Sequence, residues 1–433
     1  MHEEHKMLNG GIMKLTNEEK KMLDGGYGSG TAMAMEMVVK WGEVYGAEKL
    51  VDVTHTHTST GEPVEWLKKI SEGAKARTYS TIHPFPFDLK LWEKMGVKKE
   101  YVEKQMAYYN QCFPYYKKLG LINVYTCCPY MVGNIPFYKS YTNFFGSEAV
   151  LLVNSLFGSR NPRVGGPAPL LSAITGKAPY CDLLVEENRY GEVIFEPDPS
   201  LKPETLNNAD LGAFGYYVGY VAQERVVVIN NLARTLDFES FKYFTAPMAT
   251  SGSVALCHIV GITQDAPTLQ AALGKRTNVE KVVVGKKEIK EMWRKLNTTD
   301  SDDVDLVALG CPNLSIPELK ELADQLEGKK VKEGKRLWLG MGDDMLNMAT
   351  RMGLIEPIEK AGATILTGIC NGPLTPWDKL EDKPKVVATD SVKGAHYINA
   401  GSGMAVKVRF GSTKDCVDSV ITGKYVDTGR WLS

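Results

Sequence analysis

The sequence predicts an α/β fold of parallel sheets joined by crossover helices. Three observations carry this. Short apolar runs rich in Val, Leu and Ile alternate with longer stretches of helical periodicity, most clearly over 302–433. Several of those runs stop abruptly at polar or chain-breaking residues. The chain has 433 residues and is 43% hydrophobic, enough for two or three domains with substantial cores.

The elements follow in order. LTNEEKKML opens the first helix, with Thr16 as N-cap and Glu19 three residues on, a capping-box pattern. Because the helical pattern begins only there, Met13 is a candidate start. TAMAMEMVVKWGEVYG (31–46) is rich in helix formers and ends at a glycine. Met33, Met35 and Met37 in it are read as packing residues. KLVDVTH reads as a strand that runs into the polar cluster Thr54-His55-Thr56-His57-Thr58-Ser59-Thr60-Gly61, the pattern of a site loop. A helix over 64–73, a strand at RTYSTI and a helix over 98–118 lead into the strand LINVYTC. The middle, 137–260, is less regular, with loop-like stretches SRNPRVGGPAP (159–169) and TAPMATSGS (245–253). In the last third DLVALGC, RLWLGM, ATILTGIC and KVVATDS read as strands, and helices follow them. GKKVKEGKR (328–336) is a solvated loop, and no internal repeat is evident.

Composition excludes several classes. Lys+Arg total 51 and Asp+Glu 52, with no basic stripe, so nucleic acid is not an expected partner. Eight cysteines without a small-domain framework do not read as secreted disulfides. The N-terminus lacks an apolar signal segment, and the longest uncharged stretch, Leu119 to Tyr138, is broken by Asn and Pro. No membrane association and a cytoplasmic location are expected.

Three cysteines stand where strand-like runs end. Cys127 precedes Pro129, Cys311 directly precedes Pro312, and Cys370 precedes Asn371-Gly372-Pro373. Ligands of open α/β sheets gather outside the carboxyl ends of strands. Three thiolates delivered there would hold a metal or cluster with one position open to substrate. Free cysteines also pack as small hydrophobes, and spacing alone slightly favours that account. Cys128 and Cys127 point to opposite faces if the strand continues, so one of them at most is a ligand. His55 and His57 fit either a metal pair or a hydrogen-bonding substrate loop. His258, in an apolar run, and His83, before a proline and among aromatics, read as structural. Ser251, Gly252 and Ser253, in ATSGSVAL, could present backbone N–H groups to an anion, or form an ordinary tight turn. Arg160, Asn161 and Arg163 form a polar loop whose guanidinium groups suit carboxylates or simply solvation. Lys393 is either a substrate cation or a helix-surface lysine. Neither dinucleotide nor P-loop motifs occur.

ATSGSVALCHIVGITQDAPTL (249–269), DLVALGCPNLSIPELKELADQLEGKKV (305–331), TCCPY (126–130), DSVKGAHY (390–397) and FGSTKDCVDSVITGK (410–424) resemble the large subunit of the aconitase X family. The resemblance covers about residues 14–425. It implies an aconitase-like multi-domain fold, with a disordered tail over 1–13, an N-terminal and middle region over 14–300, and an α/β region over 301–433 that carries two of the three cysteines. It implies a hydro-lyase that removes water from a small hydroxy acid: mevalonate 5-phosphate, or cis-3-hydroxy-L-proline. It also implies an iron centre, either an iron-sulfur cluster (4Fe-4S or 2Fe-2S) or mononuclear iron, held by the residues that match the family's Thr-Cys-x-Pro-Tyr and Gly-Cys-Pro motifs and its last strand-end cysteine. These are Cys127, Cys311 and Cys370. The family's catalytic base is expected on a small swivelling domain. No segment here is left over to form it, so a separate small subunit is the expected partner and this chain alone is expected to be nearly inactive.

Some family positions differ. KSYTNF (139–144) stands where many members have Gly-Glu-His-x-Ala-Trp. Asn313 replaces a histidine, Gly368-Ile369 replaces Asp-Thr, and Leu339-Gly340-Met341 replaces Thr-Ser-Arg. A changed polar set implies a changed substrate preference. A non-catalytic iron-binding or assembly protein, and a structural zinc protein, are the alternatives from other classes.

Overall fold

The computed structural model describes residues 13–232 and 235–427. The tail expected over 1–13 therefore lies, except for Met13, outside the described residues. Among the described residues, fourteen strands form three sheets in three consecutive stretches of chain. The first sheet holds β1 (Leu50–Thr58), β2 (Tyr79–Ile82), β3 (Ile122–Tyr125), β4 (Tyr141–Phe144) and β5 (Lys177–Pro179). The second holds β6 (Val193–Pro197), β7 (Val227–Ile229), β8 (Cys257–Ile259) and β9 (Glu280–Val284). The third holds β10 (Leu306–Leu309), β11 (Arg336–Met341), β12 (Thr364–Thr367), β13 (Val386–Thr389) and β14 (Lys407–Phe410).

The order of the first sheet is β3-β2-β1-β4, with β5 antiparallel to the start of β1; every other pairing is parallel. The second runs β8-β7-β6-β9 and the third β12-β11-β10-β13-β14, both wholly parallel. All three place their first strand beside both their second and their fourth. Chain winding reverses there, and loops leaving the two central strands diverge to opposite faces. The crevice at their carboxyl ends is the standard ligand position of such sheets. Strands buried on both faces explain the near-continuous apolar runs, with Leu306–Leu309 and Val386–Thr389 wholly buried.

The N-terminal capping box forms as read, with Thr16 and Glu19 bonded reciprocally. The long segment after β11 forms two helices, Asp343–Arg351 and Ile355–Lys360, rather than one. The stretch read as a loop at 245–253 is instead the end of the helix Phe238–Gly252. That helix packs on Asn208–Ala222 with backbones almost touching: a Cβ on Gly215 would stand 1.9 Å from the Phe244 carbonyl oxygen, and one on Gly252 1.9 Å from that of Gly219. Glycine here serves a close approach, not a turn. The largest core runs from Phe195, Val227 and Ile229 through these helices to Val387, Val408 and Phe410 of the third sheet. No helix among the described residues is long and apolar enough to cross a membrane.

Candidate active site

The reversal points of the first and third sheets face the same space. A cavity of about 610 Å³ is lined by Ser59, Thr60 and Gly61 after β1, His83 after β2, Phe145, Gly146 and Ser147 after β4, Pro373 and Leu374 after β12, and Lys393 after β13. Tyr101, Gln105, Tyr108 and Tyr109, from the helix Lys99–Leu119, form one wall. The β1 polar cluster thus reaches the cavity through its last residues.

Cys127, Cys311 and Cys370 follow the ends of β3, β10 and β12 and are buried, at 6%, 7% and 4% exposed; none of them lines the cavity, and their link to it is electrostatic, through Lys393. Their loops are tied together by Asn313. Its Oδ1 accepts from the Thr126 hydroxyl (3.0 Å) and the Cys127 N–H (3.1 Å), and its Nδ2 donates to the Ile369 carbonyl (3.1 Å). Its own N–H points at Cys127 Sγ, 3.3 Å away. Cys370 N–H bonds to the Phe85 carbonyl at 2.8 Å, and the Ser391 hydroxyl donates to the Cys311 carbonyl. Cys311 Sγ lies over Gly372, where an added Cβ would stand only 2.6 Å from the sulfur. Among the described residues, no three His, Cys, Asp or Glu side chains converge on one point as a single ion would require.

Charge is concentrated here. The Lys393 ammonium makes no hydrogen bond or ion pair with a described residue, although it is only 7% exposed. Burial acts to lower its pKa, but Cys311, Cys127, Cys370 and Glu148 more than offset that and raise it. The Cys127 thiol is lowered by its contact with Cys128, opposed by burial and helped by Lys393 and the Asn313 N–H. Burial raises Cys370 to about 11 and pushes Cys311 up further, with Lys393 working against both. Glu148, fully buried, is pushed up to about 8 by desolvation and by Cys127, while Tyr130 donates to it. Its second oxygen has no partner among the described residues. Lys242 is ion-paired with Glu318 at 2.5 Å and donates to the Asn313 carbonyl at 3.1 Å.

Several residues expected at the site are elsewhere. Arg160 is 1% exposed and forms a two-point pair with Glu186 (2.8 and 2.7 Å) and a bond to Asp265 (3.0 Å), so its guanidinium is already satisfied. Asn161 is equally occupied, accepting from Phe144 N–H and Thr142 and donating to the Pro162 carbonyl. Ser251 bonds back to the Pro247 and Tyr216 carbonyls, Gly252 is packed on Gly219, and Ser253 is a left-handed helix cap. A helix end offers carbonyls, not N–H groups, so this segment is no anion cradle. His55 is half-buried beside Tyr79 and bonded to Thr54, away from the cavity. His57 is fully buried one layer behind the wall, bonded to His83. Lys393 lies on the cavity wall and is the only Lys or Arg among its described lining residues. The residue that sequence reading passed over is His83, read as structural and found on the wall. Only the β1–β2 register, which pairs His57 with Thr81, reveals it.

Comparison with known proteins agrees with this geometry. Residues 12–187, 191–294 and 304–422 match the aconitase X first, second and third domains. The chain is 33% identical over 397 residues to the phosphomevalonate dehydratase large subunit of Methanocaldococcus jannaschii, covering 89% of this chain and 95% of that one. It is 30% identical over 429 residues to cis-3-hydroxy-L-proline dehydratase of Hypocrea jecorina, covering 96% of this chain and 70% of that one. The crystal structure of Thermococcus kodakaraensis aconitase X in its holo form superposes with a TM-score of 0.81 at 29% identity, over 94% of this chain and all of that one. With matched domains across almost its whole length, relatives that are dehydratases and a fold that superposes on aconitase X, this chain belongs to the aconitase X family of hydro-lyases.

Proposed function

We propose that this chain is the large subunit of an iron-dependent dehydratase that eliminates water from a small hydroxy acid, with mevalonate 5-phosphate as the leading substrate. One observation carries the reading: Lys393, a lysine with no hydrogen bond or ion pair to a described residue, stands in a cavity at two sheet reversal points, electrostatically coupled to three buried strand-end thiols. The donor set fits an iron centre, since soft thiolates bind iron and iron-sulfur clusters. Cys127, Cys311 and Cys370 would hold it. When bound, such a centre supplies a Lewis acid that helps hydroxide to leave.

The chain's own residues do the rest. Lys393 binds the anionic end of the substrate and opposes the charge that builds up as a proton is removed next to a carboxylate. The hydroxyls of Thr60 and Ser147 offer orienting hydrogen bonds, while that of Ser59 donates to Glu62. Tyr101, Tyr108 and Tyr109 wall off water. The proton acceptor is assigned to a separate small subunit. The names of the relatives support this reading, because the chain is 33% identical to an archaeal protein that is itself a large subunit.

The test is anaerobic co-purification with a candidate small subunit, iron and sulfide analysis of wild type and Cys311→Ser, and then incubation with mevalonate 5-phosphate and cis-3-hydroxy-L-proline. Bound iron that is lost in the variant, with phosphomevalonate dehydrated, supports the proposal. An iron-free complex, or iron that survives in Cys311→Ser, would refute the three-thiolate site. Turnover of hydroxyproline alone would reassign the substrate.

A further inference from the structure

A directed chain of hydrogen bonds ends at His83. Asn134 Nδ2 lies 2.9 Å from the Thr56 carbonyl oxygen and 2.8 Å from Thr81 Oγ1. A carbonyl only accepts, so the amide nitrogen must face it, and its second hydrogen goes to Thr81. Asn134 Oδ1, on the other side, has no partner among the described residues. The Thr81 hydroxyl now accepts from Asn134, and its own hydrogen has one acceptor among the described residues, His57 Nδ1 at 2.9 Å. His57 therefore carries its proton on Nε2, which lies 3.2 Å from His83 Nδ1. His83 must accept there, which places its remaining proton on Nε2, the nitrogen bonded to no described residue in a ring that lines the cavity. Phe145 packs edge-on against that ring at 5.1 Å, and a Cβ on Gly146 would come within 3.2 Å of its Cε1, so the ring's position is fixed as well.

We propose that His83 presents its Nε2–H to the cavity as a fixed hydrogen-bond donor for an anionic oxygen of the substrate, and that Asn134, Thr81 and His57 are its positioning residues. The inference deepens the dehydratase reading and rests on the cavity being the substrate site. Burial holds both imidazoles well below their ordinary pKa, and Lys393 adds to this at His83, so the rings stay neutral. A neutral imidazole N–H aimed at an oxygen stabilises charge that develops there without needing to gain or lose a proton. His83 and Lys393 then act on the same anion, one as a donor and one as a charge.

The first test reads the tautomers directly, by long-range proton–nitrogen NMR on the full chain labelled with 15N-histidine, with His57→Gln and His83→Gln as assignment variants. Both rings are expected as neutral Nε2–H tautomers across about pH 6 to 8, a range in which an ordinary histidine titrates. Thr81→Val, which removes the hydroxyl donor, is expected to release both tautomers, and Thr81→Ser to keep them. A His83 ring protonated on Nδ1, or on both nitrogens, overturns the proposal. The second test uses the two-subunit enzyme. His83→Gln keeps an N–H donor and is expected within about tenfold of wild-type kcat, while His83→Phe loses roughly 10²-fold or more. Equal loss in Gln and Phe variants would overturn the donor role. Absence of turnover in the wild type would instead count against the substrate assignment, and the NMR result would still decide the tautomer.

Discussion

Replacing Asn313 by alanine tests how the three cysteine loops are held. The side chain makes three buried hydrogen bonds, to Thr126, Cys127 and Ile369. At about 1 kcal/mol each, their loss costs about 3 kcal/mol, and leaving the Cys127 N–H and Ile369 carbonyl unpaired adds about 1–3 more. For a chain of this size the thermal midpoint should fall by on the order of 4 to 7 °C. The same change frees the Cys127 loop from the other two, so iron per chain after anaerobic purification should fall well below wild type. Asn313→Asp separates the effects. It keeps both acceptor contacts but turns a carboxylate toward the Ile369 carbonyl and places a new anion among the thiols. It should lose iron at least as severely as alanine does. Differential scanning calorimetry with iron analysis on the same samples decides the matter. If both variants melt with wild type and retain its iron, Asn313 does not organise the loops and the reasoning fails.

Gly372→Ala places a methyl group 2.6 Å from Cys311 Sγ and must turn that sulfur aside, so iron content should drop while circular dichroism stays native. Arg160→Ala breaks the buried network with Glu186, Asp265 and Arg189; it should cost about 3–5 kcal/mol in urea unfolding but leave substrate KM unchanged. Unaltered stability would contradict that assignment. Asp390 is pushed by burial from its ordinary 3.8 to about 6, against hydrogen bonds from Thr413 and Tyr243. Its folded-state pKa lies above the unfolded one, so its protonated form favours the fold below about pH 4, and this stability is lost as pH rises through about 6. The loss amounts to at most about 3 kcal/mol at 1.36 kcal/mol per unit. Asp390→Asn should flatten the decline in melting temperature between these values, and an unchanged decline would show that another group causes it.

The strand ends were legible because each apolar run stops sharply at a cysteine or polar residue before Pro or Gly, and parallel strands read as uninterrupted hydrophobic stretches. That placed Cys127, Cys311, Cys370 and Lys393 outside carboxyl ends without any knowledge of strand order. Local pattern failed where partners are remote in sequence. Arg160 sits in a Gly- and Pro-rich stretch that looked shaped for a ligand, yet Glu186 and Asp265, which satisfy it, carry no local mark of that role. TSGS resembled a loop because small residues serve turns and tight helix contacts alike, and only the facing Gly215 and Gly219 distinguish them. His83 looked structural because its function depends on register between β1 and β2, which no window of sequence contains.

The three thiols do not come from one sheet. Cys127 belongs to the first, while Cys311 and Cys370 belong to the third, with the whole second sheet between them in the chain. Any group bound by all three acts as a clasp between two separately wound halves. Its binding energy adds to the union of those halves just as a ligand stabilises whatever state it binds. Loss of that group would be felt as a seam coming loose as well as a lost catalyst. Protease sensitivity of the connection between the second and third sheets, across Asn297 to Asp303, would then report the loading of the centre without any substrate.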